Sequence, residues 1–522
     1  MIRNPILPGF HPDPSLVRVG GDFYLATSTF EWFPGVRIFH SRDLQHWRLI
    51  ATPLDTLDFI DIRGVTASGG VWAPCLTHDG EYFHLIYSNT RSFVGPVWDV
   101  VNYLTRARDI TGPWSSPVTL NRSGFDPSLF HAPDGRKWLL NMIQDPRPGR
   151  HRFGGIVRQE YDPHAETLIG EPKVIFRGSP LGITEGPHLY FHNDWYYLMT
   201  AEGGTGYEHA VTMARSRDLD GPYTIDPENP LLTSLHSDAV LQKAGHGCLV
   251  DTPQGEWYLA HLCGRPLPPH QRCILGRETA LQKVIWSEDG WLRLAHGGRT
   301  PALEVPAPDL PKHPWPANPE TILFDGPTLP PVLQTLREPP AGDWLTLHER
   351  PGWLRLYGRY SLFSPFEQSL VGHRIQHFQC ATGTRLDFSP DHYLQTAGLA
   401  AFYDDQHWFY LQVTHDEALG RVLRLIINEQ HQLREAIDPI PLPEGPVQLG
   451  ADLDAPTLRF RYATPEDQWT DLAPELDASL LSDEVGTRFR FTGAFFVLCA
   501  QNHSHRRIPA DFAFLRYQAK SP

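Results

Sequence analysis

Three acidic side chains stand at matching places in a phrase that this sequence repeats. Asp13 lies in Gly9-Phe10-His11-Pro12-Asp13-Pro14-Ser15-Leu16 and Asp126 in Gly124-Phe125-Asp126-Pro127-Ser128-Leu129. Glu185 lies in Thr184-Glu185-Gly186-Pro187-His188-Leu189, one place earlier relative to its leucine. Two or three carboxyl groups around one apolar, aromatic pocket can break a glycosidic bond: one protonates the departing oxygen while another activates water or attacks the anomeric carbon. A single Asp before proline is more often a turn residue that bonds its own backbone. Repetition of a turn accounts for two Asp-Pro copies, but it does not account for a Glu displaced by one residue.

The elements that position these acids follow from the same repeat. Two more copies keep the frame without the carboxylate, Trp72-Ala73-Pro74-Cys75-Leu76 and His246-Gly247-Cys248-Leu249. An aromatic follows each frame leucine after a turn: Tyr24, Phe83, Trp138, Tyr196 and Trp257, spaced 8, 7, 9, 7 and 8 residues on. The leucines themselves recur every 53 to 60 residues. Short strands and Gly/Asp turns at that period predict an all-β fold, a five-bladed β-propeller. Equivalent positions on successive blades then converge on the axis, so Asp13, Trp72, Asp126, Glu185 and His246 are expected to ring one pocket. Arg277, after Gly276, is placed to reach inward. Trp72 reads equally as a sugar platform or a core tryptophan, and His246 as a structural histidine or as a holder of water or a cation.

The chain of 522 residues is long for one core and predicts two domains. Pro306 to Pro319 carries a proline at every second or third place, a stiff stretch unable to pair as a central strand. The expected division is a propeller over 1–305, a linker over 306–321 and a β-sandwich over 322–522, where period-two strands such as 408–413 and 422–427 continue without the Asp-Pro frame. A net charge of −15 disfavours nucleic acid and anionic membranes as partners. With no apolar leader run and no stretch of about 20 apolar residues, the expectation is a cytoplasmic protein. Six cysteines show no Cys-x-x-Cys spacing and read as buried thiols, not a zinc site or disulfide frame.

These motifs, together with Ser28-Thr29-Phe30-Glu31-Trp32-Phe33-Pro34-Gly35-Val36, Val71-Trp72-Ala73-Pro74 and Gly276-Arg277-Glu278-Thr279, closely resemble the β-xylosidases of glycoside hydrolase family 43. The resemblance runs over the whole chain. It implies a five-bladed propeller followed by a concanavalin- or laminin-like jelly roll, and an inverting exo-enzyme that releases xylose from the non-reducing ends of β-1,4-xylooligosaccharides. It implies Asp13 as general base, Glu185 as general acid, and Asp126 as the acid that orients Glu185 and raises its pKa. Arg277 is implied to bind sugar hydroxyls and touch Asp126. Phe30, Trp72, Ala73, Phe125, Thr205 and His246 are implied to line the pocket, and Phe491, in an aromatic loop of the sandwich, to help close it. No cofactor is implied as required. Some relatives hold calcium near the axis through waters and a histidine, which makes His246 the metal candidate here. A homo-oligomer is common among such relatives.

Two segments depart from the family pattern: 264–275 looks shorter than its counterpart, and Gly206-Tyr207-Glu208-His209 after Thr205 differs from the common form. The sequence does not rank xylosides above α-L-arabinofuranosides, so arabinofuranosidase activity is expected as a side activity or as the nearest rival. A non-catalytic sugar-binding propeller is the rival from another class, since fold alone does not give function.

Overall fold

The repeated phrase forms the inner strand of an antiparallel sheet five times over. In the computed structural model, which describes residues 1–464, 468–486 and 490–520, these strands are Ser15–Val19, Gly70–His78, Ser128–His131, Glu185–His192 and Gln242–Asp251. Each pairs with the returning strand that begins at or near the expected aromatic, and outer strands complete the blade. The frame leucine meets a leucine across the ladder in every blade: Leu16 with Leu25, Leu76 with Leu85, Leu129 with Leu139, Leu189 with Leu198 and Leu249 with Leu259. Apolar cores lie between neighbouring blades. Leu16 and Leu25, for example, pack with Cys248 and Tyr258 of blade five, and Leu129 and Leu139 with Cys75 and Ile86 of blade two. The five-bladed propeller is therefore what the period predicts.

An inner strand leaves one edge of each sheet unpaired, and its N–H groups need partners. The preceding blade supplies them from side chains. Leu76 N–H donates to Ser15 Oγ at 2.9 Å, Leu249 N–H to the Tyr190 hydroxyl at 2.8 Å, and Leu16 N–H to Cys248 Sγ at 3.2 Å. The last of these joins blade one to blade five and closes the ring. Asn4 reinforces the closure, its side chain exchanging two 2.8 Å bonds with the backbone of Leu281. All six cysteines are free and buried, as expected of core thiols.

Beyond the propeller, two sheets make a second unit with its own core. One contains Gln379–Asp387, Val447–Asp454 and Thr457–Ala463; the other contains Gln395–Asp404, His407–Asp416 and Gly420–Glu429. Leu399, Leu411 and Leu425 share a buried cluster with Leu449, Leu453 and Phe512, the core of a β-sandwich. Among the described residues the helical structure is a single 3-10 turn, Ala478–Leu480, and no helix is long and apolar enough to cross a membrane.

The chain divides into Met1–Arg265 with Arg277–Trp315, and Pro266–Gly276 with Pro316–Pro522. This corrects the expected boundaries in two places. Segment 266–276 belongs to the second unit because Ile274 and Leu275 are part of the sandwich core, Ile274 O accepts Ala494 N–H at 3.1 Å, and Cys273 N–H donates to Glu484 at 2.8 Å. The first half of the expected linker is docked on the propeller. His313 N–H donates to Asp43 at 2.7 Å, Trp315 donates its indole N–H to His40 O at 3.2 Å, and the Arg48 guanidinium covers the Trp315 ring at 4.1 Å.

Gly124 is the glycine on which a site strand most plainly depends. Its backbone passes so close to the neighbouring strand that an added Cβ would stand 1.8 Å from Met142 O. Gly124→Ala is expected to destabilise the propeller by about 3 kcal/mol, read as a lowered denaturation midpoint, and to reduce activity through displacement of Asp126.

Candidate active site

A shared backbone conformation sets the acids in place. Asp13, Ala73, Asp126, Gly186 and His246 each lie three residues before their frame leucine, and each has a positive φ, at +55°, +28°, +54°, +55° and +44°. Left-handed backbone is uncommon outside glycine, though Asp and His tolerate it better than most residues. In blade four glycine takes this position and the carboxylate moves one place back, to Glu185. The ladder slips there, between Glu185 and His188, as it does between Trp72 and Cys75 in blade two. The displaced glutamate thus has a local cause.

Asp13, 5 % exposed, accepts from Ser28 Oγ at 2.6 Å and is ion-paired with Arg277 Nη1 at 3.3 Å. The same Nη1 donates to Thr205 Oγ1 at 2.9 Å, and the guanidinium stands 5.2 Å from the centre of the Phe30 ring. Arg277 is therefore anchored on Asp13 and Thr205, and its positive field reaches Asp126 and Glu185. Asp126 accepts the backbone N–H of Gly186 at 3.0 Å, which ties it to the residue next to Glu185.

Burial pushes the Glu185 carboxyl well above the usual carboxylate range, with the charges of Asp126 and Asp13 adding to the rise and Arg277 opposing it. Asp126 is also raised by burial and by Asp13, against the pull of the Gly186 N–H and Arg277. The two titrate as a pair. Glu185, without a bond from the Gly186 N–H, is the member that keeps the proton while Asp126 ionises first. Asp13 has a cation and a hydroxyl donor at its oxygens. The site therefore holds a protonated acid and an anchored carboxylate together, the pairing that acid–base hydrolysis needs.

An aromatic wall borders the acids. Trp72 is 6 % exposed, donates its indole N–H to Ser68 O at 2.9 Å and meets Phe125 edge-on at 5.5 Å. Phe30 stands 6.1 Å from Trp72, and its backbone is bonded in both directions to Val71. Phe93, Trp98 and Phe153 extend the wall, with Trp98 stacked on Phe125 at 5.4 Å. No repeated phrase marks these three: Phe93 and Trp98 lie in the connection between the second and third strands of blade two, and Phe153 begins the third strand of blade three. Ser28, beside Asp13, follows the second strand of blade one and likewise lies outside the repeated phrase. Glu278, fully buried, accepts from Gly9 N–H at 2.7 Å and from Arg265 at 2.7 and 2.8 Å, holding the segment before Asp13 against blade five.

His246 is buried with its ring over Gly186, where a Cβ would come within 3.1 Å of it, and burial lowers its pKa. Among the described residues no group of three or more His, Cys, Asp or Glu side chains is placed to hold a metal ion. One imidazole is a poor donor set for a directly bound calcium, which takes six to eight oxygens. In the departing segment, His209 packs its ring on Gly245, 2.3 Å from where a Cβ would be, and burial holds it down to about 3. Phe491 lies in the second unit, half-buried; residues 487–489 just before it lie outside the described residues.

Residues 2–292, the propeller with these acids, match the model of glycosyl hydrolases family 43. The chain belongs to that family. Residues 321–518 match the β-xylosidase C-terminal concanavalin A-like domain. The family 43 chain is 46 % identical to a β-xylosidase of Bacillus subtilis, over 99 % of this chain and 100 % of that one. It is also 46 % identical to xylosidase/arabinosidase 43B of Humicola insolens, over 99 % and 97 %. A crystal structure of xylan β-1,4-xylosidase from Bacillus halodurans C-125 superposes with a TM-score of 0.98 at 50 % identity, covering 99 % of this chain and 100 % of that one.

The coupled carboxyls give a signed prediction. Asp126→Asn removes a negative charge that raises Glu185, so the basic limb of kcat/KM moves to lower pH, by about one unit. The same raised pKa values mean that the unfolded state releases these protons first, so stability falls as pH rises above the ordinary carboxylate range. Thermal unfolding from pH 4 to pH 8 should show a smaller decline for Asp126→Asn than for wild type.

Proposed function

We propose that this glycoside hydrolase is an inverting, exo-acting β-D-xylosidase that releases xylose from the non-reducing ends of β-1,4-xylooligosaccharides. Secondary activity on α-L-arabinofuranosides is part of the same reading. The observation that carries it is the division of three desolvated carboxyls into a protonated Glu185, backed by Asp126, and a carboxylate at Asp13 held by Arg277 and Ser28. The names of the Bacillus relatives support the xylose specificity, and that of the Humicola relative supports the arabinoside activity.

In this mechanism Asp13 accepts a proton from water as the water oxygen bonds to the anomeric carbon. On the opposite side the bond to the glycosidic oxygen breaks, and that oxygen takes the Glu185 proton. Asp126 supports the step twice: its charge keeps the proton on Glu185 until then, and its bond to Gly186 N–H fixes the backbone beside the acid. Solvent exchange then returns the proton from Asp13 and restores it at Glu185. Arg277 and Thr205 supply polar contacts for sugar hydroxyls, and the wall of Phe30, Trp72 and Phe125 supplies ring surface for the C–H face of a pyranose. Ala73 sits at blade two's left-handed position, so the wall meets no fourth acid there.

The acid and base separate by substrate. Glu185→Ala should lower kcat on xylobiose by about 10³-fold, and far less on 2,4-dinitrophenyl β-xyloside, whose leaving group departs unprotonated. Asp13→Ala should depress both alike, because water attack needs the base in either case. Equal losses from Glu185→Ala on both substrates would remove it from the acid role. Wild-type rates on matched 4-nitrophenyl β-D-xyloside and α-L-arabinofuranoside rank the two activities, and a faster arabinofuranoside would reverse the order proposed.

A further inference from the structure

Behind the general acid lies another buried carboxyl group, Glu202. It ends the strand Trp195–Glu202, directly after Ala201, the ladder partner of Glu185, and it is fully buried. Most of its donors come from one short segment, residues 178–184, which leads into Glu185, and the Thr212 hydroxyl is a further partner. Oε1 accepts the Ser179 N–H at 2.9 Å and the Thr184 hydroxyl at 3.1 Å, and Oε2 accepts the Ser179 hydroxyl. The neighbouring Gly203 N–H donates to Gly182 O at 2.8 Å.

That segment needs holding. Gly178, Gly182 and Ile183 have φ of +89°, +70° and +52°. Glycine tolerates this, but a β-branched residue there is a genuine outlier, and such strain persists only where surroundings over-determine it. Ile183 stands two residues before the acid. Gly178 is so close that a Cβ would lie 2.0 Å from Thr184 Oγ1. A carboxyl group buried among N–H and hydroxyl donors, its pKa raised by that burial and with no cation among its described partners, is an expensive way to stabilise a core, since an apolar residue there would avoid the desolvation.

We propose that Glu202 is a positioning residue for catalysis: its carboxylate clamps residues 179–184 in their strained course and so fixes the backbone from which Glu185 presents its proton. The inference rests on the reading of Glu185 as the acid. Glu202 acts through the backbone and not through its field, for the charges that move the Glu185 proton are Asp126, Asp13 and Arg277.

Glu202→Gln keeps the shape and weakens the acceptor; Thr184→Val removes one donor from the other side of the clamp and carries the same comparison if the first variant does not fold. Both are assayed on xylobiose and 2,4-dinitrophenyl β-xyloside beside wild type and Glu185→Gln. A displaced acid should lower kcat on xylobiose by about 30-fold, with KM little changed, a loss on the dinitrophenyl substrate below about 3-fold, and the basic limb of the pH profile unmoved. Equal losses on the two substrates, a rise in KM alone, or no loss at all would overturn the proposal. The Glu185→Gln control separates the two questions: if it lacks the selective loss, the assignment of the acid itself is wrong, whatever the clamp variants do.

Discussion

Like charges buried together repel, and this propeller gathers three carboxyl groups around its axis with one arginine among them. The arrangement persists because the groups do not share one state. Asp13 is neutralised by Arg277 and bonded by Ser28, Asp126 is bonded by a backbone N–H, and Glu185 holds a proton. Burial first, and the neighbouring carboxylate charges with it, raise the Glu185 carboxyl and favour its protonated form. The rest of the first unit serves this inequality: closure through Leu16 and Asn4 brings blade one, with Asp13, against blade five, with Arg277.

The radial repeat also explains how chemistry varies on a constant frame. Every blade has a left-handed residue three places before its frame leucine, and the occupants are two aspartates, an alanine, a glycine and a histidine. Where glycine takes the strained position, the preceding residue becomes the functional one. The acid and the base thus come from backbone sites of different shape, which places their carboxyls in different surroundings even though the frames match.

Much of this was legible in the sequence, because frame leucines and Asp-Pro pairs recur at a period that only a closed array of blades makes sensible. The three carboxylates, Trp72 and His246 could be named for the same reason, since each sits in a recurring phrase, whereas Phe30 and Arg277 were marked by an aromatic loop, a preceding glycine and the family resemblance. What escaped lies on strands and connections without such a phrase. Ser28, Phe93, Trp98, Phe153 and Glu202 reach the site or its support through contacts distant in sequence, and no local pattern marks them. Segment 266–276 was misassigned because chain order places it between two strands of blade five, whereas Ile274 and Leu275 are buried in the sandwich core. The proline-rich stretch was read correctly as unable to form a central strand, yet its aromatic and polar residues dock its first half on the propeller.

The most direct test of the division between acid and base is the anomer first released from xylobiose, followed by proton NMR before mutarotation mixes the products. With Asp13 activating water opposite a proton donated by Glu185, α-xylose appears first and its signal then decays toward the equilibrium mixture. Initial β-xylose would mean retention through a covalent intermediate, and would contradict the role of Asp13 as the base that activates water.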